Sequence, residues 1–308
     1  MTLTSTWVKN PAGTGMRRWI TALILAGMAG AGVVAAAPAA VAAGPSCLVV
    51  DATSDQSYAR VGLAVASAAP GDTLFVKGFC HGFLRITQDL TITGQANGGT
   101  KTGTIDDTGQ GIPTVWVVGS GVTVTLNNLV ISGGGTTFVG AGLGNFGGTV
   151  TVNNTTITGN TFVHGAGGAG IANLGGTLTL NDSTVTGNTG TFGAGGGILN
   201  WEAGTVTLND TTVSANTAAR GGGIDNRSGT VTLHGSTVTG NTANAVGGIS
   251  NEAGTVTLDE GSTVTGNTGR SATGGGIYNK CGATLTGAVA GTGGNVYNNT
   301  PDDIFNEC

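Results

Sequence analysis

The stretch GTVTLNDTTVSANTAARGGGIDN, residues 204–226, decides the fold. Gly204 to Leu208 alternates apolar residues with Thr, Thr211 to Ser214 does so again, and Gly223-Ile224 is a third short extended piece, each ended by Asn, Asp or Gly. Alternation of period two bounded by turn formers predicts strands. The unit recurs as NNTTITGN at 153–160, NDSTVTGN at 181–188, HGSTVTGN at 234–241 and DEGSTVTGN at 259–267, each after G-T-[VL]-T-[VL] and before a Gly-rich G-I-x-N. Its closing Asn falls at 145, 173, 200, 226, 251, 279 and 306, in steps of 28, 27, 26, 25, 28 and 27 residues. A period of that size marks a solenoid.

Three short strands cannot close a core alone, but stacking coils at ~4.8 Å pairs each strand with its equivalent above and below. The expectation is an all-β parallel β-helix with three short strands per coil of about 25–28 residues. Its inward columns are Val124, Val150, Leu178, Val206, Val231, Val256 and Leu285; Ile131, Ile157, Val185, Val213, Val238 and Val264; and Leu143, Ile171, Ile198, Ile224, Ile249, Ile277 and Ile304. Asn160, Asn188, Asn216, Asn241 and Asn267 fall in register too, as do the Asn residues of G-I-x-N, and both read as structural ladders at tight corners.

Composition agrees. Gly fills 60 of 308 positions, against a usual ~7%, without a collagen period, while 9% charged and 39% hydrophobic residues exclude intrinsic disorder. Lys9, Arg17 and Arg18 precede an apolar run from Ile20 to Val34, and Ala40, Ala42 and Ala43 suit signal peptidase, so residues 1–43 read as a signal peptide, with Met16 an alternative start. The Arg17-Arg18 pair leaves the twin-arginine route open beside the general secretory one, although its flanking residues fit twin-arginine export poorly. Without that leader the balance is 8 basic minus 16 acidic residues, or −8, which argues against nucleic acid as a partner. A secreted or wall-associated monomer is expected, with no membrane span in the mature chain.

Solenoid ends need covers. Residues 44–72 form the expected N-terminal cap, with a short helix within Ser57 to Ala69 that carries Val61, Leu63, Ala64 and Ala68; 73–300 form the β-helix and 301–308 the C-terminal cap. In an oxidising exterior Cys47 pairs with Cys80, pinning the first cap. Cys281 and Cys308 each lie two residues after a corner Asn, one coil apart, and form the second bridge.

AAPGDTLFVKG at 68–78, DLTITG at 89–94 and the repeated G-G-G-I-x-N and T-V-T-G-N-T resemble secreted bacterial right-handed parallel β-helix repeat proteins of the pectin-lyase-like superfamily. The repeats are also similar to those of polymorphic outer-membrane proteins. The resemblance covers about residues 47–306 and implies the fold, while lyases, hydrolases and adhesins all share it.

Three functional readings follow. The first is a non-catalytic, adhesin-like or structural module that binds polysaccharide or a cell-surface component. Coil length varies in the turn before G-I-x-N, which carries Phe162, His164, Phe192, Arg220 and Arg270, with Trp201 and Tyr278 at the nearby corner. The second is a polysaccharide lyase or glycoside hydrolase. Its weak candidates are Asp106 and Asp107, which resemble the Asp-Asp element of polygalacturonase-like hydrolases but read better as a turn pair, and Asp182 and Asp210, at equivalent corners of consecutive coils. Calcium is a weak expectation there and no other metal or cofactor is implied. The third is an ice binder, because Thr149/Thr151, Thr177/Thr179, Thr205/Thr207, Thr230/Thr232 and Thr255/Thr257 stack into two outward columns that resemble the Thr arrays of β-helical ice-binding proteins. A similar array on the second strand, and the general fitness of Thr for outward strand positions, weigh against a dedicated ice face.

Overall fold

The computed structural model describes residues 6–9, 16–19, 47–96, 103–108, 110–136, 139–164, 167–259, 261–271, 274–291 and 293–308. Residues 1–42 form a unit of their own, in which Thr6–Lys9 pairs antiparallel with Met16–Trp19. The apolar run from Ile20 to Val34 and the expected cleavage site lie outside the described residues.

The unit from Ala43 to Cys308 is a parallel β-solenoid of about eight turns. Its first face is an eleven-stranded sheet that contains every T-x-T strand from Thr123–Asn127 to Thr284–Thr286. A nine-stranded second face runs from Phe79–His81 through Thr212–Ser214 to Val296–Tyr297, and a nine-stranded face of G-I-x-N strands runs from Leu84–Ile86 to Ile304–Asn306. Between them lies a ladder that the alternation did not announce. Six two-residue strands, among them Thr161–Phe162, Thr189–Gly190 and Thr217–Ala218, give the central coils a fourth short face.

Register is residue for residue: Val206 sits on Leu178 and under Val231, and Val213 lies between Val185 and Val238. The inward columns are fully buried except at the last coil, where Leu285 and Ile304 are half-buried. Each buried aliphatic side chain contributes about 1.5–3 kcal/mol relative to exposure, so a repeated column supplies the core that no single coil has.

The corners are held by amides. Asn160 Nδ2 donates to Asn188 Oδ1 (2.9 Å), and the pattern continues through Asn216 (3.0 Å), Asn241 (3.0 Å), Asn267 (2.9 Å) and Asn299 (3.0 Å). Each Oδ1 also accepts the backbone N–H of the preceding coil's Asn, as Asn216 Oδ1 does from Asn188 at 3.0 Å. The G-I-x-N amides form a second buried ladder from Asn145 to Asn279. A third column, unforeseen, is made of Thr155, Ser183, Thr211, Ser236 and Ser262, whose buried hydroxyls accept from backbone N–H groups one coil away.

The N-terminal cap contains helix Val61–Ser67, which buries Val61, Ala64 and Val65. Leu63 faces outward at 56% exposure, because a single seven-residue helix can bury only one stripe. Ser57–Tyr58, within the stretch expected to be helical, is instead a strand at the antiparallel edge of the first face beside Leu48–Asp51. Both expected disulfides are present, Cys47–Cys80 with Cα atoms 4.6 Å apart and Cys281–Cys308 at 5.2 Å.

Two outcomes follow. Asn216→Ala leaves several buried backbone and amide groups unpaired and should lower stability by at least about 2 kcal/mol, whereas Thr205→Ala on the exposed face should stay within about 0.5 kcal/mol, both read by thermal unfolding. Replacing Cys281 and Cys308 by Ser should raise amide exchange within residues 277–306 and leave the coils around Val185 and Val213 protected, because each coil contacts only its neighbours.

Candidate functional site

Two regions concentrate chemistry-bearing side chains. The first is an N-terminal cleft of about 930 Å³ between the cap and the first coils, lined by Arg60, Phe79, His81, Phe83, Asp107, Thr108, Gln110 and Ile112 among others. Phe79–His81 pairs in parallel with the strand that ends at Asp106, so His81 and Asp106 are register partners one coil apart, with Nδ1 3.5 Å from Oδ1. Both carboxylates of the Asp106-Asp107 pair are buried. They are not equivalent. Asp106 accepts from the Thr108 N–H (3.0 Å), the Thr108 hydroxyl (3.0 Å) and the Ser132 hydroxyl (2.7 Å). Burial pushes its pKa up, but these donors and His81 outweigh burial and hold the carboxyl below the usual range. Asp107 Oδ2 has no hydrogen-bond partner; burial first and the neighbouring Asp106 charge second push its pKa up to about 6.

The second region is the long edge. Phe162 is a correction: it is fully buried, not a surface aromatic. In its two-residue strand Thr161 points out and Phe162 in, and the ring fills space left where the next coil has glycine. A Cβ on Gly193 would lie 2.5 Å from the Phe162 ring. His164 and Phe192 do come together on the surface, with rings stacked at 5.1 Å and 1° between planes, and Phe192 is 65% exposed. Beside Thr191 a small groove of about 190 Å³ runs across coils over Gly190, Ala218 and Ala243, edged by Thr189, Thr217, Thr242, Asn244 and Arg270.

Arg220 and Trp201 are linked by ions that the repeat pattern did not pair. Asp225, fully buried on the outward side of the G-I-x-N face, takes Arg220 (Nε 3.2 Å) and Arg227 (Nε 3.0 Å). Arg220 also pairs with Glu252, and Arg227 lies over the Trp201 ring at 5.1 Å. Burial works against the Arg220 charge, but Asp225 and then Glu252 outweigh it and raise the pKa. The Tyr278 hydroxyl donates to Glu307 (2.9 Å). Arg227 and Glu252 thus serve a partly buried network that fastens the variable turn to its sheet.

Asp182 and Asp210 occupy corners with φ of 48° and 47°, where Asn128 and Asn154 also stand, so their shared feature is a left-handed backbone that Asp and Asn tolerate. His234 pairs with Asp259 Oδ2 (2.5 Å) one coil on. Glu260 lies outside the described residues, and no group of three or more His, Cys, Asp or Glu that could hold a metal occurs among the described ones. The T-x-T residues are in register on the first face, with Thr149, Thr177 and Thr205 exposed and Thr151, Thr179, Thr207, Thr230, Thr232, Thr255 and Thr257 half-buried. The second face repeats the array at Thr156/Thr158, Thr184/Thr186, Thr237/Thr239 and Thr263/Thr265. No protein-family model, curated protein or solved structure matches the chain.

The Asp107 environment has a measurable consequence. Its folded pKa of about 6 lies above the ordinary carboxyl value of 3.8, so its contribution to stability is fully present below pH 3.8 and is lost as pH rises to and through 6. Asp107→Asn should remove that fall, on the order of 2–3 kcal/mol across the window. Thermal unfolding of both proteins from pH 4 to pH 7.5 reads it: the variant's profile should be the flatter, with its advantage confined to the upper end.

Proposed function

We propose that the chain is an extracellular, non-catalytic binding module whose long edge holds an extended polysaccharide. The observation that carries this reading is the exposed His164–Phe192 stack beside the hydroxyl-edged groove of Thr189, Thr217 and Thr242. A flat ring pair offers a surface for the C–H face of a sugar, and the Thr hydroxyls and Asn244 offer hydrogen bonds to its rim. Coil repetition at ~4.8 Å gives such contacts a period along the axis, which suits a polymer better than a small ligand. The two disulfides fit an oxidising exterior, and among the described residues no helix is long and apolar enough to cross a membrane.

Co-sedimentation of the purified protein with insoluble microbial and plant polysaccharides, with and without calcium, tests this reading. The expected result is retention on at least one polymer, with no new sugar ends, and a tenfold or greater loss in a His164→Ala/Phe192→Ala protein of unchanged melting temperature. New sugar ends would replace the binding reading with a lyase or hydrolase. Retention that ignores the double substitution would remove the long edge from it.

A further inference from the structure

The N-terminal cleft, at about 930 Å³, has the volume that encloses a small molecule, and the long edge makes no use of it. Its ionisable groups divide by access. Asp107 is 2% exposed and its unpartnered oxygen is closed to solvent, while Asp106 behind it is buried with its oxygens taken by Thr108 and Ser132. Arg60 is exposed, and the His81 side chain is 67% exposed. A molecule entering the cleft therefore meets the two basic side chains and not the carboxyls. No ion pair among the described residues takes up Arg60. The walls are apolar: Phe79 and Ile112 are each 42% exposed, and Phe83 is half-buried. Phe79 stands edge-on to His81, ring centroids 4.8 Å apart, so an aromatic ring and a basic one border the same space.

We propose that this cleft binds a small organic acid whose carboxylate is carried on an apolar ring, the carboxylate held by Arg60 and His81 and the ring by Phe79, Phe83 and Ile112. The guanidinium fork matches a carboxylate through two parallel hydrogen bonds, and the exposed Gln110 amide adds a donor. One guanidinium, with an imidazole already turned to Asp106, balances a single negative charge, so a monoanion fits better than a phosphate dianion. Aromatic and aliphatic walls suit a ring with apolar faces. The inference is independent of the polysaccharide reading. The charged groups facing Asp107 are Asp106 at the end of its own strand, His81 on the adjoining strand and Arg60 ahead of the cap helix. A bound carboxylate adds negative charge to this set, so it is favoured when Asp107 is protonated and His81 charged. Both changes weaken binding as pH rises, and the Asp107 titration near 6 falls inside the window.

Calorimetry of the full chain with benzoate, benzamide, benzylamine and acetate, at pH 5.5 and pH 7.5, tests the proposal; benzoate is ionised at both. At pH 5.5 benzoate should bind at least tenfold more tightly than the other three, and severalfold more tightly than it does at pH 7.5. Arg60→Ala should lose tenfold or more at an unchanged melting temperature, since the Arg60 side chain makes no capping bond to the helix that follows. Phe79→Ala, at an exposed position, should lose severalfold. Asp107→Asn should bring the affinity at pH 7.5 towards that at pH 5.5. Benzylamine or benzamide bound as tightly as benzoate would overturn the proposal, as would acetate bound as tightly, phosphate bound more tightly, no binding of benzoate, or an Arg60→Ala protein of unchanged affinity. The His164→Ala/Phe192→Ala protein should bind benzoate as the parent does, and a loss there would overturn the assignment to the cleft.

Discussion

The rest of the molecule depends on the vertical hydrogen bond between asparagine side chains at successive corners. A corner turns the chain inward and leaves backbone N–H and C=O groups where water cannot reach, and each of them needs a partner. Asn216 shows how one residue type supplies it: its Nδ2 reaches Val185 O and Asn241 Oδ1, and its Oδ1 accepts both the N–H and the Nδ2 of Asn188. Only a short amide offers donor and acceptor with that reach. A slip by one residue would break the column and turn every aliphatic side chain outward, so the ladder and the core enforce the same register.

That constraint governs where variation can go. With both Asn columns fixed, extra residues enter the segments between them, in the central coils mainly the turn from the corner Asn to G-I-x-N. The turn folds back over the outer side of the G-I-x-N face, where Gly168 and Gly221 approach Ala172 and Asp225 so closely that a Cβ would lie 2.7 Å and 2.9 Å from them. Several of the contacts described above are therefore built across coils rather than along the chain. His81 with Asp106, His164 with Phe192 and Arg220 with Glu252 are separated by 25, 28 and 32 residues, roughly one period each.

The same fact explains what the sequence disclosed. The period, the inward columns, both Asn ladders and the Cys281–Cys308 bridge follow from comparing equivalent positions, which needs no knowledge of side-chain direction. The short fourth face was hidden because two residues cannot display alternation, and so Phe162 read as a surface aromatic. Its signal was the Thr that follows every corner Asn, at 161, 189, 217, 242 and 268. Asp106 and Asp107 read as a turn pair because the residues that distinguish them, His81 and Ser132, stand about a coil away on either side. The Arg220–Glu252 pair was hidden because Arg220 stands in the variable turn, which has no fixed register in the repeat, while Asp225 sits in the strand beneath it.

Asp225 and Asp107 pose one electrostatic problem and receive opposite treatments. Each is a carboxylate with almost no exposure on a scaffold where a repeat unit can present a cation one coil away. At Asp225 the chain supplies two cations from the same coil, Arg220 five residues before it and Arg227 two after it, and adds Glu252 and the Trp201 ring from the neighbouring coils to steady the two guanidinium groups. Neutralising a buried ion is thus within the architecture's means. At Asp107 the nearest basic group, His81, is spent on Asp106, and no donor reaches Oδ2. Buried charge without a partner is destabilising, so the fold answers the same problem at Asp107 by protonation instead of by pairing: burial first and the Asp106 charge second push its pKa up to about 6.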